Sequence, residues 1–293
     1  MIHLLERPIK RVAAIHDLSG FGKSSLTVVI PVLSSMNIQV CPIPTAVLST
    51  QTDGFENYVF TDLTDHMKAS INHWKKLNLR FDAIYSGFLG SEKQIDIVID
   101  FINYFKKNEE TLVVVDPVMG DYGQLYSSIT KNLVEEMKKL IIKADVIIPN
   151  YTEACLLLEE NYTELVEESK LKDWMRKLSE NGPKIVIITS IPNKDKSKTG
   201  VIAYNKEDGK FWKITNEYIK ASYPGTGDAF ASVITGSLLN KDSLSTAINK
   251  ATYFVTTCLK ASCGYNYPPR EGILLEKVLE TLSEPTPMQC HEI

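Results

Sequence analysis

Basic charge, long apolar runs and paired cysteines are all scarce in this chain, and each scarcity removes a class of function. Lysine and arginine total 32 against 36 aspartates and glutamates, a net charge of −4. A nucleic-acid partner would call for a basic patch, so none is expected. No apolar stretch reaches the roughly 20 residues that cross a bilayer, so no membrane is expected either. The five cysteines, Cys41, Cys155, Cys258, Cys263 and Cys290, are scattered, odd in number and never spaced C-x-x-C. That usage argues against a disulfide framework or a zinc site and for buried free thiols. The opening "MIHLLERPIKR" carries charges inside its only apolar patch and lacks a leader's apolar core and cleavage site. It reads as the first residues of a cytoplasmic protein. Linkers rich in Pro, Gly or Ser, internal repeats and low-complexity tracts are also missing. One domain over residues 1–293 is therefore expected.

What is present is an alternation. Short β-branched runs at residues 11–16, 39–48, 82–87, 111–116, 145–150 and 184–189 are separated by amphipathic stretches. The spacing predicts helices over 24–36, 64–77, 91–107, 130–143, 152–159 and 163–180. Near-continuous Val/Ile runs between helices mean strands buried on both faces, hence a doubly wound, mostly parallel α/β sheet. The segment 199–215 differs: two alternating runs flank "KEDG" and read as a β-hairpin. Three closing helices are expected, from Gly225, Ser243 and Gly272. In such sheets ligands bind beyond the carboxyl ends of the strands, which places Asp17, Gly87, Asp116, Asn150 and Thr189 on one rim.

The stretch "HDLSGFGKSSL", residues 16–26, looks like a phosphate-binding P-loop followed by a helix. A P-loop needs G-x-x-x-x-G-K-[ST], so that successive amides face phosphate oxygens. Counting back from Gly22, the first glycine position holds Asp17, whose carboxylate would put negative charge into the cradle. The structural alternative is a strand-to-helix turn with Ser24 capping the helix. A third reading keeps Asp17 as a polar group facing a small-molecule substrate.

A stronger phosphate signal lies in "YPGTGDAF", residues 223–230. Gly225, Thr226 and Gly227 form a loop and first helical turn whose bare amides and positive dipole end favour an anion. Asp228 in that turn is either an acid favoured by the dipole or a general base for phosphoryl transfer to an alcohol. In "DPVMGDYG", Asp116 ends a strand, Pro117 forces an extended exit and Asp121 follows in a glycine-flanked loop. Those carboxylates could hold magnesium directly or through water, or the loop is a solvated turn. In "PNYTEA", Asn150 ends the next strand and Glu153 falls in a first helical turn, beside Thr152 as an alternative cap.

Together "GTGD", "DPVMGD", "PNYTEA" and "SGFLGS" (residues 86–91), in one chain, resemble the ribokinase superfamily and more narrowly its vitamin B6 branch, the pyridoxal/pyridoxamine kinases. The similarity runs from about residue 11 to 264 and includes "PTAVLSTQT", residues 44–52. The resemblance implies a ribokinase-like fold and an ATP-dependent kinase acting on the 5′-hydroxyl of a B6 vitamer. It makes Asp228 the base and Gly225, Thr226 and Gly227 the anion hole. Asp116, Asn150, Glu153 and Thr189 would serve ATP, and Asp121 and Glu153 the Mg2+ ion, with Thr189 near a monovalent cation such as K+. Asp17, Leu48, Thr52 and Phe88 would line the vitamer pocket, and residues 120–126 would form a mobile lid. A homodimer is also implied. Many members carry Ser where Asp17 stands, so the ring-side hydrogen bond must differ, and some carry Thr where Ile148 stands. The sister branch, the hydroxymethylpyrimidine (phosphate) kinases, shares features of "HDLSGFG" but usually has Cys where Asp228 stands. It remains the second reading, and a non-catalytic nucleotide-binding regulator on the same fold the third.

Overall fold

A computed structural model describes residues 8–107 and 110–293. The expectation built on the first seven residues lies outside them.

The chain alternates strand and helix as its apolar pattern demands. β1 (Lys10–Ser19), α1 (Leu26–Ser35), β2 (Ile38–Leu48), β3 (Phe60–Asp62), α2 (Thr64–Lys76), β4 (Ala83–Ser86), α3 (Glu92–Phe105) and β5 (Leu112–Val115) come first. A small hairpin, β6 (Gly120–Asp121) and β7 (Gln124–Leu125), precedes α4 (Lys131–Ile141), β8 (Val146–Ile147), α5 (Tyr151–Leu158) and α6 (Glu168–Ser179). β9 (Ile185–Pro192), β10 (Lys198–Asn205), β11 (Phe211–Glu217), α7 (Thr226–Leu239), α8 (Leu244–Cys263) and β12 (His291–Glu292) complete the order. The main sheet has ten strands in the order β12-β11-β10-β9-β8-β5-β4-β1-β2-β3. Strands from β2 through β9 pair in parallel across its centre. The expected hairpin is β10–β11, antiparallel from Lys198↔Glu217 to Tyr204↔Phe211.

Apolar side chains on successive strand residues go to opposite faces, and here both faces are core. Ala13, Ile15, Val113, Val115, Val186 and Ile188 pack with α2 to α6 on one side. Val12, Ala14, Val114 and Ile187 pack with α1, α7 and α8 on the other. That double burial explains why the runs are continuous rather than alternating.

Three expectations about helices are corrected. Ser24 does not cap α1: the N-cap is Ser25, with no side-chain cap bond. The helix expected over 163–180 begins only at Glu168, because the Thr163 hydroxyl donates to the Leu165 carbonyl at 2.7 Å and holds a local turn. No α-helix starts at Gly272. Three short 3₁₀ turns cover Pro269–Glu271, Leu275–Lys277 and Leu279–Ser283. Gly272 sits at φ +86°, and beyond Ile273 the buried residues of the turns are Leu275 and Val278, three apart. That spacing suits a three-residue turn.

Candidate active site

The parallel strands deliver their C-terminal ends, and the loops that follow them, to one rim. Asp17 and Ser19 finish β1, Asp116 follows β5, and Asn150 follows β8 and bridges to Thr189 of β9. The Thr189 amide donates to the Pro149 carbonyl at 3.0 Å. α7 points its first turn at the same rim.

Gly225 is the N-cap of α7, at φ +89°. A Cβ there would meet the Lys23 carbonyl oxygen at 2.7 Å, so both conformation and space require glycine. The first amide to bond back is that of Ala229, to the Gly225 carbonyl at 2.9 Å. The amides of residues 226–228 precede it and have no intrahelical partner. At Gly227 a Cβ would meet nothing within 4 Å, so no protein atom crowds the outer side of this turn. Asp228 is half-buried beside them. Burial pushes its carboxyl up to about 6; the Ser25 N–H, donating to Oδ2 at 2.8 Å, opposes this, and the charge of Asp17 adds to it. A carboxylate with that pKa is mostly ionised at neutral pH yet basic enough to take a proton from an alcohol.

Asp116 is 7% exposed, and burial and the charge of Asp228 hold its carboxyl well above the usual range. Glu153 is held high by burial and then by Asp116. It completes a capping box: Asn150 Oδ1 accepts from the Glu153 amide at 2.9 Å and Glu153 Oε2 from the Asn150 amide at 2.8 Å. Glu153 Oε1 also accepts from the Met119 amide at 3.0 Å. Asn150 is thus the cap, not Thr152, whose hydroxyl instead accepts from the Gly123 amide at 2.9 Å. Asn150 Nδ2 donates to the Gly120 carbonyl at 2.8 Å, so two side chains tie the β6–β7 hairpin to the start of α5. Burial raises Asp121, and its Oδ1 accepts from the Tyr122 amide at 2.8 Å. The Tyr126 phenol is raised by burial and then by Glu153, Asp121, Asp116 and Asp228, so four carboxylates bear on one side chain. Among the described residues no ion pair joins any of the four, and no group of three metal-ligating side chains has converged.

The residues expected to line a vitamer pocket are more dispersed. Asp17 is 6% exposed and turned to the hydroxyls of Ser25 and Ser19. Leu48 is buried at the end of β2, Phe88 is half-buried, and Thr52 is exposed. Ile148 is buried and apolar, and its side chain offers no oxygen to a cation.

Most amides of the "GFGKSS" turn are engaged within the protein and do not form a phosphate cradle. Those of Gly20, Phe21 and Lys23 donate to the carbonyls of Leu48, Ser49 and Glu271 at 2.8, 3.1 and 2.9 Å. The Ser24 amide donates to the Thr27 hydroxyl at 3.1 Å, and Lys23 pairs with Glu276. The P-loop reading is set aside on that ground.

Four residues beneath the site escaped sequence reasoning as functional candidates: His16, Ser25, Tyr85 and Ser232. Among the described residues the His16 ring nitrogens are buried without a hydrogen-bond partner, and the Tyr85 hydroxyl and Ser232 Oγ are buried beside each other. His16 and Tyr85 pack edge to face at 4.4 Å. Burial lowers His16 to about 3, and Tyr85 is held high by burial, Asp116 and Asp228. Polar rings in strands otherwise buried on both faces were the available signal.

Comparison with known proteins gives a consistent picture. The model of the phosphomethylpyrimidine kinase family matches residues 30–270. A Bacteroides thetaiotaomicron protein assigned as a phosphomethylpyrimidine kinase and crystallised with pyridoxal is 52% identical. It superposes with a TM-score of 0.94 over 97% of this chain and 100% of its own. The pyridoxal kinase of Lactobacillus plantarum is 29% identical, with a TM-score of 0.84 over 93% and 96% of the two chains. Among curated sequences, the pyridoxal kinase of Corynebacterium diphtheriae is 25% identical over 67% of this chain and 68% of its own. Two further pyridoxal kinases are matched over 64% and 57% of their lengths.

Proposed function

The chain belongs to the ribokinase-like family of pyridoxal and phosphomethylpyrimidine kinases, and from that membership we propose that it transfers the γ-phosphoryl group of ATP to the 5′-hydroxyl of a B6 vitamer. The observation that carries the reading is the first turn of α7. Asp228 stands there with a carboxyl raised to about 6, next to the amides of residues 226–228. The carboxylate takes the hydroxyl proton as the oxygen attacks, and the amides hold the phosphoryl oxygens as their charge builds. The pyridoxal held by the Bacteroides relative supports a vitamer as acceptor.

The donor set fits Mg2+. Asp116, Asp121 and Glu153 are oxygen donors raised by burial and without a cationic partner among the described residues. Both Glu153 oxygens already accept main-chain N–H groups, so Glu153 would act through water, while Asp116 and Asp121 would face the ion or its waters. Bound magnesium would supply neutralising charge to the phosphates. Asn150 and Thr189 edge the same rim and would orient the nucleotide. Asp17, Leu48, Thr52 and Phe88 remain the proposed vitamer side, the hairpin over 120–126 the proposed lid, and a homodimer the proposed assembly. A K+ site would rest on Thr189 without help from Ile148.

The second reading, phosphorylation of hydroxymethylpyrimidine or its phosphate, is favoured by the matching family model. Measuring ATP consumption with pyridoxal, pyridoxine, pyridoxamine and hydroxymethylpyrimidine side by side decides between them. Turnover with a vitamer, lost in Asp228→Asn, is the expected result. Turnover with the pyrimidine alone establishes the second reading, and binding without turnover the non-catalytic one.

A further inference from the structure

We propose that Ser25 is a positioning residue that presents Asp228 to the cleft through a single oxygen, its main-chain N–H fixing Asp228 Oδ2 while its side-chain hydroxyl anchors that amide to Asp17. The proposal rests on the reading of Asp228 as the base. The amide bond is 2.8 Å, and Ser25 Oγ donates to Asp17 Oδ1. One residue therefore joins the end of β1 to the first turn of α7. With Oδ2 occupied, Oδ1 is left to accept the proton of the incoming alcohol.

The backbone of Ser25 makes this arrangement costly. Its φ is +50° and its ψ −127°, a conformation that favours glycine and strains a side chain. Glycine would be the cheaper residue if shape alone mattered, yet a serine stands there, 6% exposed, with its hydroxyl engaged. An isolated bridge between Leu18 and Ser25 closes the turn and holds that conformation. Ser19 Oγ lies 3.4 Å from Asp17 Oδ2 and 3.1 Å from Ser24 Oγ, so the anchor is itself braced. Loss of the Ser25 hydroxyl frees the amide to rock, and the carboxylate plane of Asp228 with it. Such misplacement lowers the chemical step while leaving substrate affinity alone.

Ser25→Ala and Ser25→Gly separate this role from a merely structural one. Both remove the hydroxyl, and the glycine variant also relieves the strain. Both should lose kcat by roughly 10–100-fold with KM for ATP and for the vitamer within about twofold, and Ser25→Gly should melt above Ser25→Ala. Wild-type kcat in Ser25→Gly would overturn the proposal, because activity would then follow strain alone. So would a raised vitamer KM at unchanged kcat, which would make Ser25 a pocket residue. Where Ser25→Ala does not fold, the unstrained glycine variant decides. Asp228→Asn is measured alongside: full turnover there defeats the base assignment itself, whereas an inactive Asp228→Asn with a fully active Ser25→Gly defeats only the positioning role.

Discussion

The two ends of the central sheet carry the same kind of residue in opposite circumstances. At the amino ends of the strands, Asp82 accepts from the Arg11 amide at 2.8 Å. Asp145 there accepts from the Val113 amide at 2.8 Å and from the Lys106 ammonium at 2.5 Å. At the carboxyl ends, Asp17, Asp116, Glu153 and Asp228 crowd together, and among the described residues their only hydrogen-bond donors are hydroxyls and main-chain amides. One rim closes its charges internally and serves stability. The other leaves them raised by burial and without a cationic partner among the described residues, an arrangement the proposed cation and phosphates would complete.

The largest effect expected of this contrast is on turnover at the open rim. Gly227→Val adds bulk beside the α7 amides, at a position where a Cβ meets no protein atom within 4 Å. It should cut kcat by about 10²–10³-fold with an unchanged melting temperature, checked by steady-state kinetics and calorimetry. Full activity would remove the anion hole from the account. The next effect is on stability and has opposite signs at the two rims. Asp145→Ala should cost about 1–3 kcal/mol in urea unfolding with kcat unchanged. Asp228 is raised from 3.8 to about 6, so the folded state binds its proton more tightly than the unfolded one. Its favourable contribution is complete below pH 3.8 and is lost as the pH rises through about 6. Asp228→Asn should therefore be more stable than wild type at pH 8, by about 1–3 kcal/mol, and should lose that advantage in acid. Equal signs at both rims would erase the contrast. The smallest effect is at Lys23, whose partner Glu276 is exposed. Lys23→Ala should shift nucleotide affinity by less than about 1 kcal/mol in titration calorimetry; a collapse in binding would restore the P-loop.

Much of this was legible in the sequence because strands buried on both faces leave an unmistakable apolar run, and the polar residues that end those runs fall on one rim by geometry. Asp116 and Asn150 were placed that way, and Asp228 by the glycine-rich start of a helix. Local hydrogen bonding was less legible. Ser24 and Ser25 are adjacent and chemically identical, and only the left-handed φ of Ser25 decides which one reaches Asp17 and Asp228. Thr152 and Asn150 compete for the same cap, and the reciprocal bond with Glu153 settles it for Asn150. The 3₁₀ turns after Gly272 were hidden because Leu275 and Val278 also fit a helical spacing. His16 and Tyr85 were passed over because their strands read as purely apolar.

The most direct test of Asp228 as the proton acceptor is the pH dependence of kcat/KM for the vitamer in wild type and in Asp228→Asn. The account predicts a wild-type acid limb that bends near pH 6 and falls roughly tenfold per pH unit below it, absent from the residual rate of the variant. A wild-type profile that stays level into acid, or a limb that persists unchanged in Asp228→Asn, would contradict it.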